Sequence, residues 1–108
     1  MATTLPSITR APYVLERERK KPEADRTTFT LQPLDGLQSL DVNSLGYVNY
    51  RLALTIGLKD WSNLKDESGQ LVKFSIDNFS KVQPEDLLDI ACEIIERSSL
   101  SEEQRKNS

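Results

Sequence analysis

Alternation of hydrophobic and polar residues predicts a first strand shortly after residue 27. Residues 28–31 alternate, with Phe29 and Leu31 on the apolar face, which is the pattern of a half-buried strand. Pro33 ends this run, and the Asp-Gly pair that follows is typical of a turn. A second apolar run comes next, so we expect a β-hairpin over about residues 27–43. The apolar members of the second run are Leu37, Leu40 and Val42.

The segment from residue 45 to 58 fits two structures. Hydrophobic residues occupy every second position from Val48 to Leu58, which favours a strand. The segment is longer than the mean strand of about five or six residues. Asn43 or Ser44 can cap a helix and Gly57 can end one, which favours a helix. The pattern therefore leaves helix and strand open.

The next signals are a turn and a short helical segment. Gly69 lies among polar residues between two apolar runs, which predicts a tight turn or hairpin with exposed carboxylates at its tip. The carboxylates concerned, Asp66 and Glu67 together with Asp60, do not have the spacing of an EF-hand loop. Ser75 is placed to cap a short helical turn that extends through Phe79.

An amphipathic helix is predicted from about residue 84 to 98. Pro84 suits the first helical position, and the acidic residues that follow it suit the positive end of the helix dipole. Ser101 and Gln104 have capping-box spacing, so we expect a last helical turn through about Lys106. The predicted core-facing residues are Leu87, Leu88, Ala91, Ile94 and Ile95. The predicted solvent-facing residues are Asp86, Asp89, Glu93 and Glu96.

Charge and proline content divide the chain in two. Residues 1–27 carry six basic and four acidic groups and three of the five prolines, whereas residues 28–108 carry eight basic and thirteen acidic groups. We therefore expect a flexible arm over 1–27, pinned at Tyr13 to Leu15, and one α+β domain over 28–108. In that domain a β-hairpin or small antiparallel sheet packs on C-terminal helices.

Composition restricts the chemistry. The chain has no histidine and one cysteine, which removes His-based acid–base catalysis and nearly every common zinc site. We therefore expect that the protein is not an enzyme and that it has no catalytic site, no metal site and no cofactor. Cys92 is expected to pack as a structural residue, and Trp61 either to pack in the core or to anchor an interface.

Charge and hydropathy also restrict the partners. The net charge is −3, and glutamates interrupt the basic cluster at residues 16–21, so we expect no nucleic-acid binding. No window approaches 18 apolar residues, which predicts no membrane span. Neither a signal sequence nor a cysteine pair is visible, and a cytosolic protein is expected.

The second half of the chain resembles the tail assembly chaperones of long-tailed bacteriophages and prophages. The resemblance covers about residues 57–108: a Trp-centred segment, a D-x-x-G turn, a Phe-Ser-x-x-Asn stretch, an acidic amphipathic helix and a Leu-Ser-Glu-Glu ending. The residues that carry it are Trp61, Asn63, Asp66, Gly69, Phe74, Ser75, Asn78, Phe79, the helix over 84–98 and the ending over 100–108.

This resemblance implies a non-enzymatic protein of the host cytoplasm that binds the tape-measure protein, recruits tail-tube subunits and forms a homo-oligomer. We expect its partner-facing residues to be Trp61, Phe74 and Phe79, and its solubilising acidic face to be Asp86, Asp89 and Glu93. The alternative is a structural virion component, a head–tail joining or tail-completion protein whose arm orders on a neighbouring subunit. A host-directed regulatory protein with an acidic surface is a third reading.

Overall fold

The computed structural model describes the backbone of residues 9–107 and the side chains of residues 9–44 and 46–98. Within this part of the chain, three strands form one antiparallel sheet in the order β1-β2-β3. The strands are β1 (Ala11–Tyr13), β2 (Thr28–Leu31) and β3 (Leu58–Ser62). The predicted α+β class is confirmed, with a small antiparallel sheet and C-terminal helices.

Strand β2 is the central strand and confirms the first sequence prediction. Phe29 and Leu31 are fully buried, whereas Thr28 and Thr30 are half-buried. Phe29 pairs with Tyr13 of β1 and with Trp61 of β3. The apolar face of this strand therefore forms the middle of the core.

The prediction of a second hairpin strand is wrong, because residues 36–42 form helix α1 (Gly36–Val42). Asp35 accepts a hydrogen bond from the backbone N–H of Gln38 at 2.8 Å, and the Gln38 side chain accepts one from the backbone N–H of Asp35 at 3.0 Å. This reciprocal capping box satisfies two N–H groups at the helix start. Val42 is buried, whereas Leu37 and Leu40 point outward.

The segment over 45–58 is a helix for most of its length. A short 3-10 turn, Ser44–Gly46, precedes helix α2 (Tyr50–Gly57), and the chain then enters β3 directly. The cap is Asn49, whose side chain accepts from the Leu52 N–H at 3.0 Å, and neither Asn43 nor Ser44 caps α2. The helix prevails because α2 buries Ala53, Leu54 and Gly57 and packs against α3.

Helix α3 (Pro84–Asn107) extends past the predicted end at residue 98, and the expected separate last turn is part of it. Ile90, Ala91 and Ile94 are fully buried. Leu88 is 49% exposed, which corrects its predicted place in the core. At about 100° per residue, Leu88 falls at the edge of the buried face.

Close packing between α2 and α3 requires a glycine. A Cβ at Gly57 would lie 2.6 Å from Cγ2 of Ile94, which is too close for carbon atoms. The core contains Leu15, Phe29, Leu31, Leu34, Val42, Ala53, Leu54, Leu58, Trp61, Val82, Ile90, Ala91 and Ile94.

Part of the segment expected as a flexible arm belongs to the fold. Residues 1–8 lie outside the described residues, but β1 joins the sheet and Leu15 is 3% exposed in the core. Two 3-10 turns, Glu16–Glu18 and Glu23–Asp25, connect β1 to β2. The folded unit therefore begins before residue 28, and the expected anchor at residues 13–15 lies within it.

Between β3 and α3 the chain forms the predicted turn and helical segment. Gly69 has φ of +86°, a region that favours glycine, and the Asp66 carboxylate accepts from the backbone N–H groups of Ser68 and Gln70. The turn is closed by a bridge between Lys65 and Leu71. The 3-10 turn Ile76–Lys81 follows Ser75, although the Ser75 side chain does not form the expected cap.

Candidate partner-binding site

The three aromatic residues predicted to face a partner form one cluster. The ring centroid of Trp61 lies 4.9 Å from that of Phe74, 5.8 Å from that of Phe79 and 6.4 Å from that of Phe29. Phe74 and Phe79 are half-buried. The Trp61–Phe74 and Trp61–Phe29 pairs are edge-to-face, and such pairs stabilise one another beyond their buried area.

Trp61 itself is a core residue. It is 6% exposed, and its indole N–H donates to the carbonyl oxygen of Val72 at 2.8 Å. Its backbone N–H donates to the Asp60 carboxylate. Because Trp61 is almost fully buried and its N–H group is already paired, it offers little surface to a partner. The structure thus favours the packing role over the anchoring role for this residue.

The acidic residues of α3 do not form one solvated face. Asp86 is 6% exposed, and both its oxygens accept from the Arg17 guanidinium at 2.6 Å, which corrects its expected place on the solvent side. This hydrogen bond also raises the pKa of Arg17. Asp89 is exposed, and Glu93 is half-buried and accepts from Arg97 at 2.7 Å. The Arg17–Asp86 pair therefore joins two residues that are 69 positions apart in sequence.

Tyr13 contacts two arginines, Arg19 of the N-terminal segment and Arg97 of α3. The guanidinium carbons of Arg97 and Arg19 are 5.6 Å and 6.0 Å from its ring centroid, within cation–π range. Arg97 also donates to the carbonyl oxygens of Ala11 and Pro12. Burial raises the pKa of the Tyr13 hydroxyl, and the charge of Glu93 raises it further. These contacts hold β1 against α3.

Glu18 is a second buried carboxylate in the N-terminal segment. It pairs with Lys21 at 2.7 Å and accepts from the backbone N–H of Thr27 at 3.2 Å. The hydrogen bond from Lys21 lowers the pKa of Glu18, and the Thr27 N–H lowers it further, against the opposing effect of burial. The cluster at residues 16–21 is thus partly built into the fold.

Asn63 connects the end of β3 to the same segment. Its φ is +59°, a left-handed conformation that asparagine tolerates better than most residues. Its side chain donates to the carbonyl oxygen of Arg26 at 3.3 Å, and its own carbonyl accepts from the Thr27 hydroxyl at 2.8 Å. Asn63 therefore has a structural role in this fold.

A groove of about 980 Å³ lies between the N-terminal segment, the turn after β3 and the start of α3. Its lining includes the buried side chains of Leu15, Phe29 and Val82. Both basic and acidic side chains line it, and the carboxylates of Asp86 and Glu18 are already paired. The lining of the groove therefore carries charges of both signs.

Hydrophobic exposure is concentrated elsewhere, in α1 and the start of α2. Of the seven large hydrophobic side chains exposed in the described residues, four fall between residues 37 and 50. We call these four residues the α1–α2 surface. They are Leu37 at 76%, Leu40 at 69%, Tyr47 at 60% and Tyr50 at 42% exposed.

The hydrophobic pattern did not predict this surface, because it favoured a strand over residues 37–42 with Leu37 and Leu40 as apolar, core-facing members. Leu37 and Leu40 are three residues apart on α1, so they share one helix face. The backbone N–H of Asn49 donates to the carbonyl oxygen of Val42 at 2.7 Å, which returns the chain to the end of α1. The capping-box spacing of Asp35 and Gln38 was the available signal for a helix.

Other chemistry is limited in the described residues. Cys92 is a free thiol on the exposed side of α3, which corrects its expected packing role. Among the described side chains, those of residues 9–44 and 46–98, no group of three or more Cys, Asp or Glu is arranged to hold a metal ion. In the same range, no helix is both long and apolar enough to cross a membrane. The chain matches no protein-family model, no curated protein and no solved structure.

Proposed function

We propose that this chain is a non-enzymatic phage tail assembly chaperone that holds the tape-measure protein through the α1–α2 surface. The observation that carries the proposal is the exposure of Leu37, Leu40, Tyr47 and Tyr50 in one short stretch. Exposed large apolar side chains that are concentrated in one region of a small domain are typical of a protein-binding site. The resemblance of residues 57–108 supplies the identity of the client.

A two-part surface suits this role. The leucines of α1 supply flat apolar contact, and the tyrosines supply rings with polar hydroxyl groups, a combination common in binding sites. Elsewhere the domain is acidic, with thirteen acidic against eight basic groups after residue 27. That charge keeps a complex with an apolar client in solution, in the cytoplasm of the host. Recruitment of tail-tube subunits is the second activity in this proposal.

The alternative, a structural virion component, relies on an N-terminal arm that orders on a neighbouring subunit. Residues 11–27 instead pack on their own domain, through β1, Leu15 and the Arg17–Asp86 pair. This arrangement supports the chaperone over the virion component, because most of the expected arm already packs against its own domain and is not available to order on a neighbouring subunit.

Co-expression with fragments of the tape-measure protein tests the surface directly. The parent chain is expected to keep an apolar fragment in the soluble fraction, and the double variant Leu37→Gln, Leu40→Gln to lose it. Glutamine is a good helix former, so α1 is retained. Leu71→Gln is the matched control, since Leu71 is 69% exposed like Leu40 but lies in the turn after β3. Equal loss in the control would count against the α1–α2 surface.

Mass spectrometry of purified phage particles separates the two functions. A chaperone is absent from the finished virion, whereas a joining or completion protein is present in a fixed copy number. Detection of this chain at a constant ratio to the tube subunit would overturn the chaperone proposal and support the alternative.

A further inference from the structure

The α1–α2 surface lies in a stretch of chain without basic residues. Between Arg26 and Arg51 the sequence contains two carboxylates, Asp35 and Asp41, and no lysine or arginine. Arg51, which follows Tyr50 on α2, is exposed and is the basic residue nearest to this surface along the sequence. The leucines of α1 are therefore flanked along the chain by carboxylates alone.

The two carboxylates differ in their availability. Asp35 is engaged at the start of α1, where it accepts from the Gln38 N–H. Asp41 is exposed next to Leu40, and in the described residues no hydrogen bond or ion pair involves its side chain. A cation brought alongside Leu40 thus meets an unpaired carboxylate without first breaking another interaction.

The two tyrosines, like Asp41, favour a positively charged partner. Tyr47 and Tyr50 are exposed, and the faces of exposed tyrosine rings attract guanidinium and ammonium groups. Tyr13 already shows this contact with Arg97 and Arg19 inside the fold. The exposed rings and Asp41 consequently favour positive charge beside the apolar contact.

We propose that the α1–α2 surface binds an amphipathic helix whose apolar stripe is bordered by lysine or arginine. This inference rests on the proposed function and names the kind of client segment that the surface takes. Apolar side chains of the bound helix cover Leu37 and Leu40, and its basic side chains meet Asp41 and the tyrosine rings. A helix of the same stripe bordered by glutamate is rejected, because it would place carboxylates against Asp41.

Two synthetic helical peptides of about 18 residues test the proposal by fluorescence anisotropy. They share one leucine stripe and differ only in their bordering residues, lysine in one and glutamate in the other. The lysine peptide is expected to bind the full-length chain about tenfold more tightly at low salt, with the difference shrinking as ionic strength rises. Asp41→Asn is expected to weaken the lysine peptide about two- to fivefold.

Asp77→Asn is the matched control for Asp41. Asp77 is an exposed aspartate in a helical turn, and its carbonyl oxygen accepts from the hydroxyl of a serine three residues on, as that of Asp41 does. The control is expected to leave peptide binding unchanged. Equal weakening by both substitutions would show attraction to the acidic chain as a whole and would overturn the proposal.

The remaining outcomes separate this inference from the function on which it rests. If both peptides bind equally and Leu40→Gln weakens both, the surface stands and the charge preference is wrong. If neither peptide binds, the α1–α2 surface fails as a client site and both proposals fall. Sedimentation that shows a dimer of the parent chain, lost in Leu40→Gln, would assign the surface to a second copy and overturn the inference.

Discussion

Two hydrophobic regions of this molecule have opposite relations to solvent. The aromatic cluster of Trp61, Phe74 and Phe79 packs on the core, with the indole N–H bonded to the backbone. The α1–α2 surface contains two leucines and two tyrosines that are 42% to 76% exposed. Sequence reasoning expected binding from the aromatic residues and burial from the leucines.

The difference teaches that residue type predicts a role only together with its position in the fold. Tryptophan is enriched at binding sites, but a tryptophan with its N–H paired and three rings around it stabilises the domain instead. Leucine is usually buried, but Leu37 and Leu40 lie on the face of α1 opposite to Val42, which is the residue that enters the core.

Trp61→Ala is expected to destabilise the domain by about 3–5 kcal/mol, the usual cost of removing a large aromatic side chain from a core. Chemical denaturation monitored by circular dichroism measures the change. Trp61→Phe keeps a ring in place and is expected to cost less. A Trp61→Ala variant that keeps the parent's stability but loses its client would show that the cluster, and not the α1–α2 surface, is the binding site.

Asp86→Asn is expected to lower the free energy of unfolding by about 1–2 kcal/mol, because it weakens the pair that joins the N-terminal segment to α3. The value is below that of a fully buried pair since the Arg17 side chain is 61% exposed. Asp89→Asn, one turn further along the same helix, removes an exposed carboxylate and is expected to change stability little. Similar losses of stability in both variants would mean that Asp86 and Asp89 have equivalent surroundings, as the sequence predicted for an acidic face of α3.

Glu18 is expected to contribute a smaller effect that depends on pH. Its pKa is lowered in the fold, mainly by Lys21, so the folded state favours the charged form. The stabilisation is therefore present above the unfolded pKa of about 4.3 and is lost as the pH falls through the folded pKa. Urea unfolding measured from neutral to acidic pH is expected to show a shallower decline in Glu18→Gln.

Glu16→Gln is the control for this titration, since it removes the same charge from an exposed position of the same 3-10 turn. An identical decline in the parent and in Glu18→Gln would show that the contact with Lys21 is not maintained in solution.

Leu37→Gln and Leu40→Gln are expected to give the smallest change in stability, within about 0.5 kcal/mol each, together with the largest loss of client. Both side chains are exposed, and glutamine retains helix propensity. Thermal unfolding and the co-expression assay are measured on the same variants. A loss of several degrees in Tm would instead mean that the leucines are packed in solution.

Much of the fold follows from local patterns. The alternation over 28–31 predicted β2, Gly69 among polar residues between two apolar runs predicted a turn, and Pro84 with the apolar stripe predicted α3. Helix α1 was missed because the apolar positions 37, 40 and 42 fit neither period well. The capping box at Asp35 and Gln38 carried more information than the hydrophobic pattern, since a reciprocal pair of side-chain caps forms only at a helix start.

The candidate site was less predictable. Asp86 lies four residues before Ile90 and eight before Ile94, so the helical period places it on the same face as these fully buried residues. Its charge alone suggested the solvent side, and only the return of the N-terminal segment supplies Arg17 as its partner. Cys92 was assigned to the packed side of α3, but the buried face is centred on Ile90, Ala91 and Ile94. The partner of a buried carboxylate depends on residues distant in sequence, which the helical period does not identify.

The sequence by itself determined the elements whose signals lie within a few residues, such as β2, the turn at Gly69 and the start of α3. It also determined the acidic balance and the absence of histidine. Only the tertiary structure decided that Trp61 is inside, that Asp86 is paired and that Leu37 and Leu40 are outside. Burial depends on residues distant in sequence, because a side chain leaves water only where another element packs over it.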